Sequence, residues 1–472
     1  MITRHMKENA CGALMVLGCL CATASLGGAQ TADPELKIVD YPIHSGIHDG
    51  RGSEAHLAFE ARVTVARVPW QWLEFRGFEL GSASTLTFLA ERDGGFQVLD
   101  TRSMTQWGGR SATFNGESVL VQLWVAPEDR GVFFDLARVV AAVPNDPEDD
   151  APEISMSLCG SDNRVAITDN RVGRVIPPGC TVWRITNGAF LTAGHCVDLD
   201  PDNGGPGLPD GVLDVPGPVE FNVPASQANG TTVAAAPNDQ YPVDTTSFSW
   251  RFDGTGQGLG KDWSVFAVFE NSNTGLMPHE AYGFPYRITR ESPNSGNTIR
   301  ITGFGVDNTP VGTTGNRNAQ NQTNQTHTGG YLSENTGGSS ADISHEYQVD
   351  TMGGNSGSPI LWNSQNLAIG IHTNAGCSAS NGNTGTSFEV NALESAINSF
   401  PGWGTEHVDR GHPMPVTESG SAYRPWDTVA EGVAAASSTG ELSIVSGTYT
   451  EGYQLITKQL ELEAPIGTVV IR

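Results

Sequence analysis

The chain has 472 residues, with 52 acidic and 26 basic side chains and a formal charge of -26. Gly (57) and Pro (27) are abundant without a Gly-X-Y period, and only 17% of residues are charged, which excludes collagen and argues against long coiled coils. So negative a chain repels phosphate backbones, so nucleic acid is not expected as a partner, and the length allows two to four domains.

Arg4 and Lys7 precede an apolar stretch, Ala10 to Ala24, and small residues follow at Gly27-Gly28-Ala29. This is the layout of a secretory leader over residues 1–29. Val16-Leu17-Gly18-Cys19 also fits a bacterial lipoprotein site, which makes lipid anchoring at Cys19 the alternative to secretion. No later run reaches eighteen apolar residues, so the mature chain is expected to be exported without a membrane span. Three of the seven cysteines (Cys11, Cys19, Cys21) fall in the leader. The other four, Cys159, Cys180, Cys196 and Cys377, can pair as two disulfides in three ways. The lack of C-x-x-C spacing argues against a metal site built on them.

Residues 33–143 alternate like strands, as in His56-Leu-Ala-Phe-Glu-Ala-Arg-Val-Thr-Val65 and Ser118-Val-Leu-Val-Gln-Leu-Trp-Val125, and predict a β-sandwich. Residues 144–157, with Pro144-Asn-Asp-Pro-Glu-Asp-Asp-Ala-Pro152, read as an acidic linker. Residues 158–402 are again strand-like, with Gly312 to Ala341 read as a long polar surface loop and Ala392-Leu-Glu-Ser-Ala-Ile397 as a short helix. A Pro- and Gly-bearing connector is expected over 403–424. In 425–472, Glu441–Val445, Tyr453–Ile456, Gln459–Leu462 and Thr468–Ile471 predict four short strands.

Three signatures in the middle domain can carry chemistry: Leu191-Thr-Ala-Gly-His-Cys196, Lys261-Asp-Trp-Ser-Val-Phe266 and Gly353-Gly-Asn-Ser-Gly-Ser-Pro359. Amide hydrolysis needs a nucleophile, a base to take its proton and an acid to fix the base's tautomer. Ser356, His195 and Asp262 supply those types, and the amides of Gly354 and Ser356 can face a developing oxyanion. The α/β-hydrolase elbow is not met, because Ser358 fills its last glycine position.

In this order the motifs resemble those of the chymotrypsin-like serine proteases over roughly half the chain. The resemblance implies an all-β double barrel with the triad in the cleft, a Ser-His-Asp mechanism through an acyl-enzyme, peptide substrates, a monomer and no cofactor. It also implies a Cys180–Cys196 disulfide closing the histidine loop, which leaves Cys159 and Cys377 to each other. Met352 stands where the family usually has a cysteine, and neutral Asn355 replaces the Asp that pairs with a new amino terminus after activation. Activation by propeptide removal without amino-terminal insertion is therefore expected. Gly-Asn-Ser-Gly-Ser-Pro and Ile369-Gly-Ile-His-Thr-Asn374 resemble the bacterial glutamyl-endopeptidase branch, which makes His372, with Thr373 and Asn374, the pocket for an acidic P1 residue. Asp350, six residues before Ser356, is the competing trypsin-like pocket carboxylate for Lys or Arg. An inactive protease-fold binding or adhesion protein is the rival from another class. Asp198, Asp200 and Asp202 form an acidic turn with a Ca²⁺-like spacing, although Pro209 breaks the EF-hand pattern and a solvated turn is favoured. With Phe75-Arg-Gly-Phe78, Leu86-Thr-Phe-Leu89 and Trp107-Gly-Gly-Arg110, the 33–143 region resembles the sandwich before bacterial lysyl-endopeptidase-like domains, implying a pro-region or folding aid with glycan or protein binding as the alternative, and the last fifty residues resemble rungs of a parallel β-helix.

Overall fold

The computed structural model describes residues 35–145, 157–198, 213–214, 217–253, 259–309, 316–336, 343–378, 381–400, 406–413 and 417–472. The expected leader, Cys19, most of the acidic linker, Asp200 and Asp202 lie outside the described residues. None of the described helices is long and apolar enough to cross a membrane.

The alternating amino-terminal region forms two four-stranded antiparallel sheets. One joins Leu36–His44, Phe133–Ala142, Trp70–Glu79 and Phe114–Asn115. The other joins His56–Thr64, Ser118–Val125, Thr85–Ala90 and Phe96–Leu99. Period-two patterning puts every second residue of Ser118–Val125 inside. Leu73, Phe88, Leu123, Phe134 and Leu136 fill the space between the sheets, each worth roughly 1.5–3 kcal/mol of burial.

Two barrels follow. The first runs through Gln240–Tyr241, Val219–Glu220, Val172–Val175, Cys180–Arg184, Phe190–Thr192, Asp262–Val268 and Val243–Phe252. The second contains Leu367–Asn374, Pro359–Trp362, Thr298–Gly303, Gln325–Asn335, Ser344–Gln348 and Asn383–Ser387, and closes where the last of these pairs back onto the first. Val182, Phe190, Tyr241 and Phe266 fill one barrel, and Ile299, Ile301, Tyr347, Ile360 and Ile369 fill the other. A further cluster spans the seam, where Trp183, Leu191 and Trp263 meet Leu361, Ile371, Phe388 and the helix Asn391–Asn398 through Leu393 and Ile397.

Three expectations need correction. The polar stretch 312–341 contains the eleven-residue strand Gln325–Asn335. Its Thr and Tyr residues fit a pleated sheet, and Gly329 lets the backbone approach the Gln348 carbonyl oxygen, where any Cβ would collide. The 403–424 connector holds Glu406–Val408, which pairs in parallel with Glu441–Ile444, which pairs in parallel with Glu461–Glu463. In the last segment Tyr453–Ile456 is not a strand, and Tyr453 is 92% exposed. A helix, Val429–Ala435, lies between Glu406–Val408 and Glu441–Ile444, capped reciprocally by Thr428 and Glu431.

Both flanking modules dock closely. Thr113 donates its N–H to Gln240 Oε1 (2.8 Å) and receives Gln240 Nε2 at its carbonyl (2.7 Å). Asn115 pairs the same way with the Ala234 backbone. Trp70 and Trp72 stack over Ile176 and Ala234, and the Trp70 indole donates to Thr232 Oγ1. On the other flank Arg287 makes a bidentate pair with Asp409. Replacing Gln240, which is fully buried, with Ala strands both backbone groups of Thr113. The expected loss is about 1–3 kcal/mol in urea unfolding; an unchanged midpoint would mean that this face contributes nothing to stability.

Candidate active site

His195 lies on the single turn Gly194–Cys196, directly after the strand Phe190–Thr192. Only glycine fits before it, since a Cβ on Gly194 would strike the Arg251 carbonyl oxygen. The Cys180–Cys196 disulfide fixes the other side of the turn. Asp262 begins the strand Asp262–Val268 and holds the histidine twice: Oδ1 accepts the His195 backbone N–H (3.0 Å) and Oδ2 accepts Nδ1–H (2.6 Å). Both side chains are almost fully buried. The pairing places the proton on Nδ1 and leaves the Nε2 lone pair as the basic site. Nε2 is buried and has no hydrogen-bond partner among the described residues. The Phe252 ring packs against the imidazole with centroids 5.7 Å apart, and Thr386 Oγ1 donates to the Asp262 carbonyl, tying this strand end to the second barrel.

Ser356 lies in a turn bracketed by Gly354 (φ +94°) and Gly357 (φ +88°), both in the left-handed region that favours glycine. Asn355 shapes this turn: its Oδ1 accepts the Met352 N–H, its N–H donates to the Met352 carbonyl, and its carbonyl accepts the Ser358 N–H. The turn is seated on the first barrel. Thr181 donates its N–H to the Ser356 carbonyl (2.9 Å) and its hydroxyl to the Gly354 carbonyl (2.9 Å). Gly357 approaches so closely that a Cβ would strike the Thr181 carbonyl oxygen and Thr192 Oγ1, beside the Ala193 amide. The nucleophile turn therefore rests on the strand ends that immediately precede His195.

His372 lies within Leu367–Asn374 and is fully buried, with Nδ1 2.6 Å from the Tyr347 hydroxyl. Burial, with a smaller push from the neighbouring His195, holds its pKa down at about 3. Thr373 Oγ1 donates to Asn374 Oδ1. Tyr347 and Thr386 are partners that the sequence does not announce, since they lie in neighbouring strands far from His195 in the chain.

Asp350, the trypsin-like alternative, is held by the amides of its own chain. Its Oδ1 accepts the Cys159 N–H (2.7 Å), and its Oδ2 accepts the Asn163 N–H (2.9 Å) and Nδ2 (3.1 Å). A carboxylate with both oxygens engaged by its own chain is not a vacant counter-ion for Lys or Arg. The Cys159–Cys377 disulfide fastens the same segment. Among the described residues, Cys180, His195 and Cys196 bring three metal-ligand atoms together, but both sulfurs belong to the disulfide and are not thiolate ligands. Asp198 is buried, with the Trp250 indole 3.4 Å from its Oδ2.

No protein-family model and no curated protein matches the chain. Among solved structures it is similar to a Glu endopeptidase in complex with MPD, at 21% identity over 51% of this chain and 96% of that one, with a TM-score of 0.35. It is also similar to the protease Anisep from Arthrobacter nicotinovorans (15% identity, 50% and 100% covered, TM-score 0.33) and to a mutant of human heparin binding protein (13%, 54% and 99%, 0.34). These similarities cover about half of the chain and are too remote to transfer a function. By its strand pairing, with His195 on a turn of one barrel and Ser356 on a turn between strands of the other, the central fold is a chymotrypsin-like double β-barrel.

The buried imidazoles give a pH signature. His372 and His407 are held at about 3 in the fold and titrate near 6.5 when unfolded. Between those values the unfolded chain binds more protons, so this stability is complete above about pH 6.5 and is lost as pH falls towards 3. The melting midpoint should fall across that window, and His372→Gln should flatten the slope; an unaltered slope in the variant would rule out the buried neutral imidazole.

Proposed function

We propose that the protein is an exported serine endopeptidase with Ser356, His195 and Asp262 as its triad. The observation that carries this reading is the doubly bonded His195–Asp262 pair, on a turn that follows the strand end against which Gly357 of the Ser356 turn packs. His195 Nε2 takes the Ser356 hydroxyl proton as Oγ attacks the scissile carbonyl carbon. The oxyanion of the tetrahedral intermediate is received by the amides of Gly354 and Ser356. The intermediate collapses to an acyl-enzyme as His195 passes the proton to the leaving amine. Water, deprotonated by the same nitrogen, then hydrolyses the ester and restores Ser356. Asp262 keeps Nδ1 protonated throughout and stabilises the imidazolium. Two disulfides support an oxidising compartment for the chain.

Acidic P1 residues are the proposed substrates. Supporting this are the engagement of Asp350 by its own chain and the place of His372, whose carbonyl accepts the Gly357 N–H and whose N–H donates to the Ser358 carbonyl, on either side of the turn after Ser356. The imidazole is neutral before substrate arrives, so recognition begins as hydrogen bonding, and a bound carboxylate draws a proton onto the ring.

The test is to map cleavage sites on an unfolded protein by mass spectrometry. Cuts after Glu or Asp are expected, with none from Ser356→Ala. A hydrogen bond to a charged group is worth roughly 1.5–3 kcal/mol, so His372→Gln should lower kcat/KM on Glu-P1 peptides roughly 10- to 100-fold. Cuts after Lys or Arg would overturn the specificity, and no cuts at all would overturn the enzyme.

A further inference from the structure

The residues after the acidic linker run along the chain that leads to the nucleophile. Ser157 bridges Thr351, its hydroxyl donating to the Thr351 carbonyl, and Asn383 Nδ2 donates to the Ser157 and Val349 carbonyls. Asp350 then receives the Cys159 and Asn163 amides. Arg164 follows, 3% exposed, its fork closed on Asp162 through Nε and Nη2. Its third nitrogen, Nη1, is buried and has no hydrogen-bond partner among the described residues. A Cβ on Gly305 would run into both this Nη1 and Asn355 Oδ1, so the guanidinium and the amide oxygen are immediate neighbours. Asn355 Oδ1 is the atom that caps Met352 and shapes the Ser356 turn. A buried positive charge beside that oxygen favours one setting of the amide dipole, in a surrounding where electrostatic interactions are weakly screened.

We propose that the segment Ser157–Arg164 is the device that orders the nucleophile turn, with Asp350 and Arg164 as positioning residues, while still joined to the chain before it. The Asp350 carboxylate sets the segment's register, and Arg164 fixes Asn355. No free amino terminus is required at the turn. A cut within the acidic linker leaves the device whole, whereas a chain beginning after Arg164 lacks it. This inference rests on the serine-protease reading and deepens it.

The experiment measures the rate at which a fluorophosphonate probe labels Ser356 in the full chain, in a chain cut in the linker, and in Arg164→Gln, Arg164→Lys and Asp350→Asn. The kcat and KM values on a Glu-P1 peptide are measured alongside. Misplacement of reacting groups by about 1 Å lowers rates on the order of 10²-fold, so Arg164→Gln and Asp350→Asn should label on the order of 10²-fold more slowly. The loss should fall in kcat with KM near wild type, and Arg164→Lys should recover part of it. Folding is checked by circular dichroism and the melting midpoint. If Arg164→Gln does not fold, Arg164→Lys must itself label more slowly than wild type. Wild-type labelling rates in the folded variants would overturn the proposal, and so would labelling that appears only after the linker is cut. A chain that labels in neither form takes down the protease reading and this inference with it.

Discussion

Thr181 joins the two halves of the site. Its N–H and hydroxyl bind the carbonyls of Ser356 and Gly354, its hydroxyl also accepts the Phe304 N–H, and its own carbonyl accepts the Thr192 hydroxyl. Each bond contributes about 0.5–1.5 kcal/mol net, so the energy is modest and the consequence is geometric. The turn with the nucleophile and the strand leading to the base share one buried threonine, next to a disulfide cysteine. The fold then needs glycine at 357 and 303, because side chains there would occupy the space through which the barrels touch. The carbonyls held by this seam belong to the two residues whose amides are proposed to receive the oxyanion, so the seam fixes the backbone that would present them.

The candidate triad was legible because each member is carried by a short local signature. Gly194 before His195, Asp262 at the start of an apolar strand and glycines around Ser356 are neighbour relations, and the fold keeps them. The partners of Asp350 were not legible, for the opposite reason. Cys159 and Asn163 lie about 190 residues upstream, and no spacing near Asp350 announces them. Tyr347 and His372 meet only because the barrel closes on itself through the strand Asn383–Ser387. Gln325–Asn335 was hidden by its polar composition, since a strand lying between two others owes its place to ladder bonds as much as to apolar side chains. Thr428-Val-Ala-Glu431 was a capping box in plain sight, masked by the expectation of strands around it.

The flanking modules meet the barrels through side-chain amides as well as apolar surface. Gln240 and Asn115 each read a backbone N–H and C=O at once, which demands one register and one orientation. Such contacts are polar and buried together, so they are stable only when complete. A region retained by bonds of this kind is part of the folded body of the protein, and a break in the acidic linker would not by itself remove it. At the other end, Arg287 with Asp409 and the buried Tyr423 in the seam cluster tie the parallel strands to the second barrel.

The overall charge and the proposed specificity act against each other at long range and are reconciled at short range. A chain of formal charge -26 repels acidic peptides as they approach. That field is screened beyond about 8–10 Å at ordinary salt, whereas the site works at contact. Inside it Asp262 is bonded twice to His195, and burial holds the His372 imidazole neutral at ordinary pH. If the proposed acidic P1 residue binds there, it meets in Asp350 a carboxylate already bonded by the amides of the 157–164 segment. On the proposed reading, the acid that would repel such a substrate is the same one that anchors the segment proposed to order the nucleophile turn, so one placement of Asp350 would serve both.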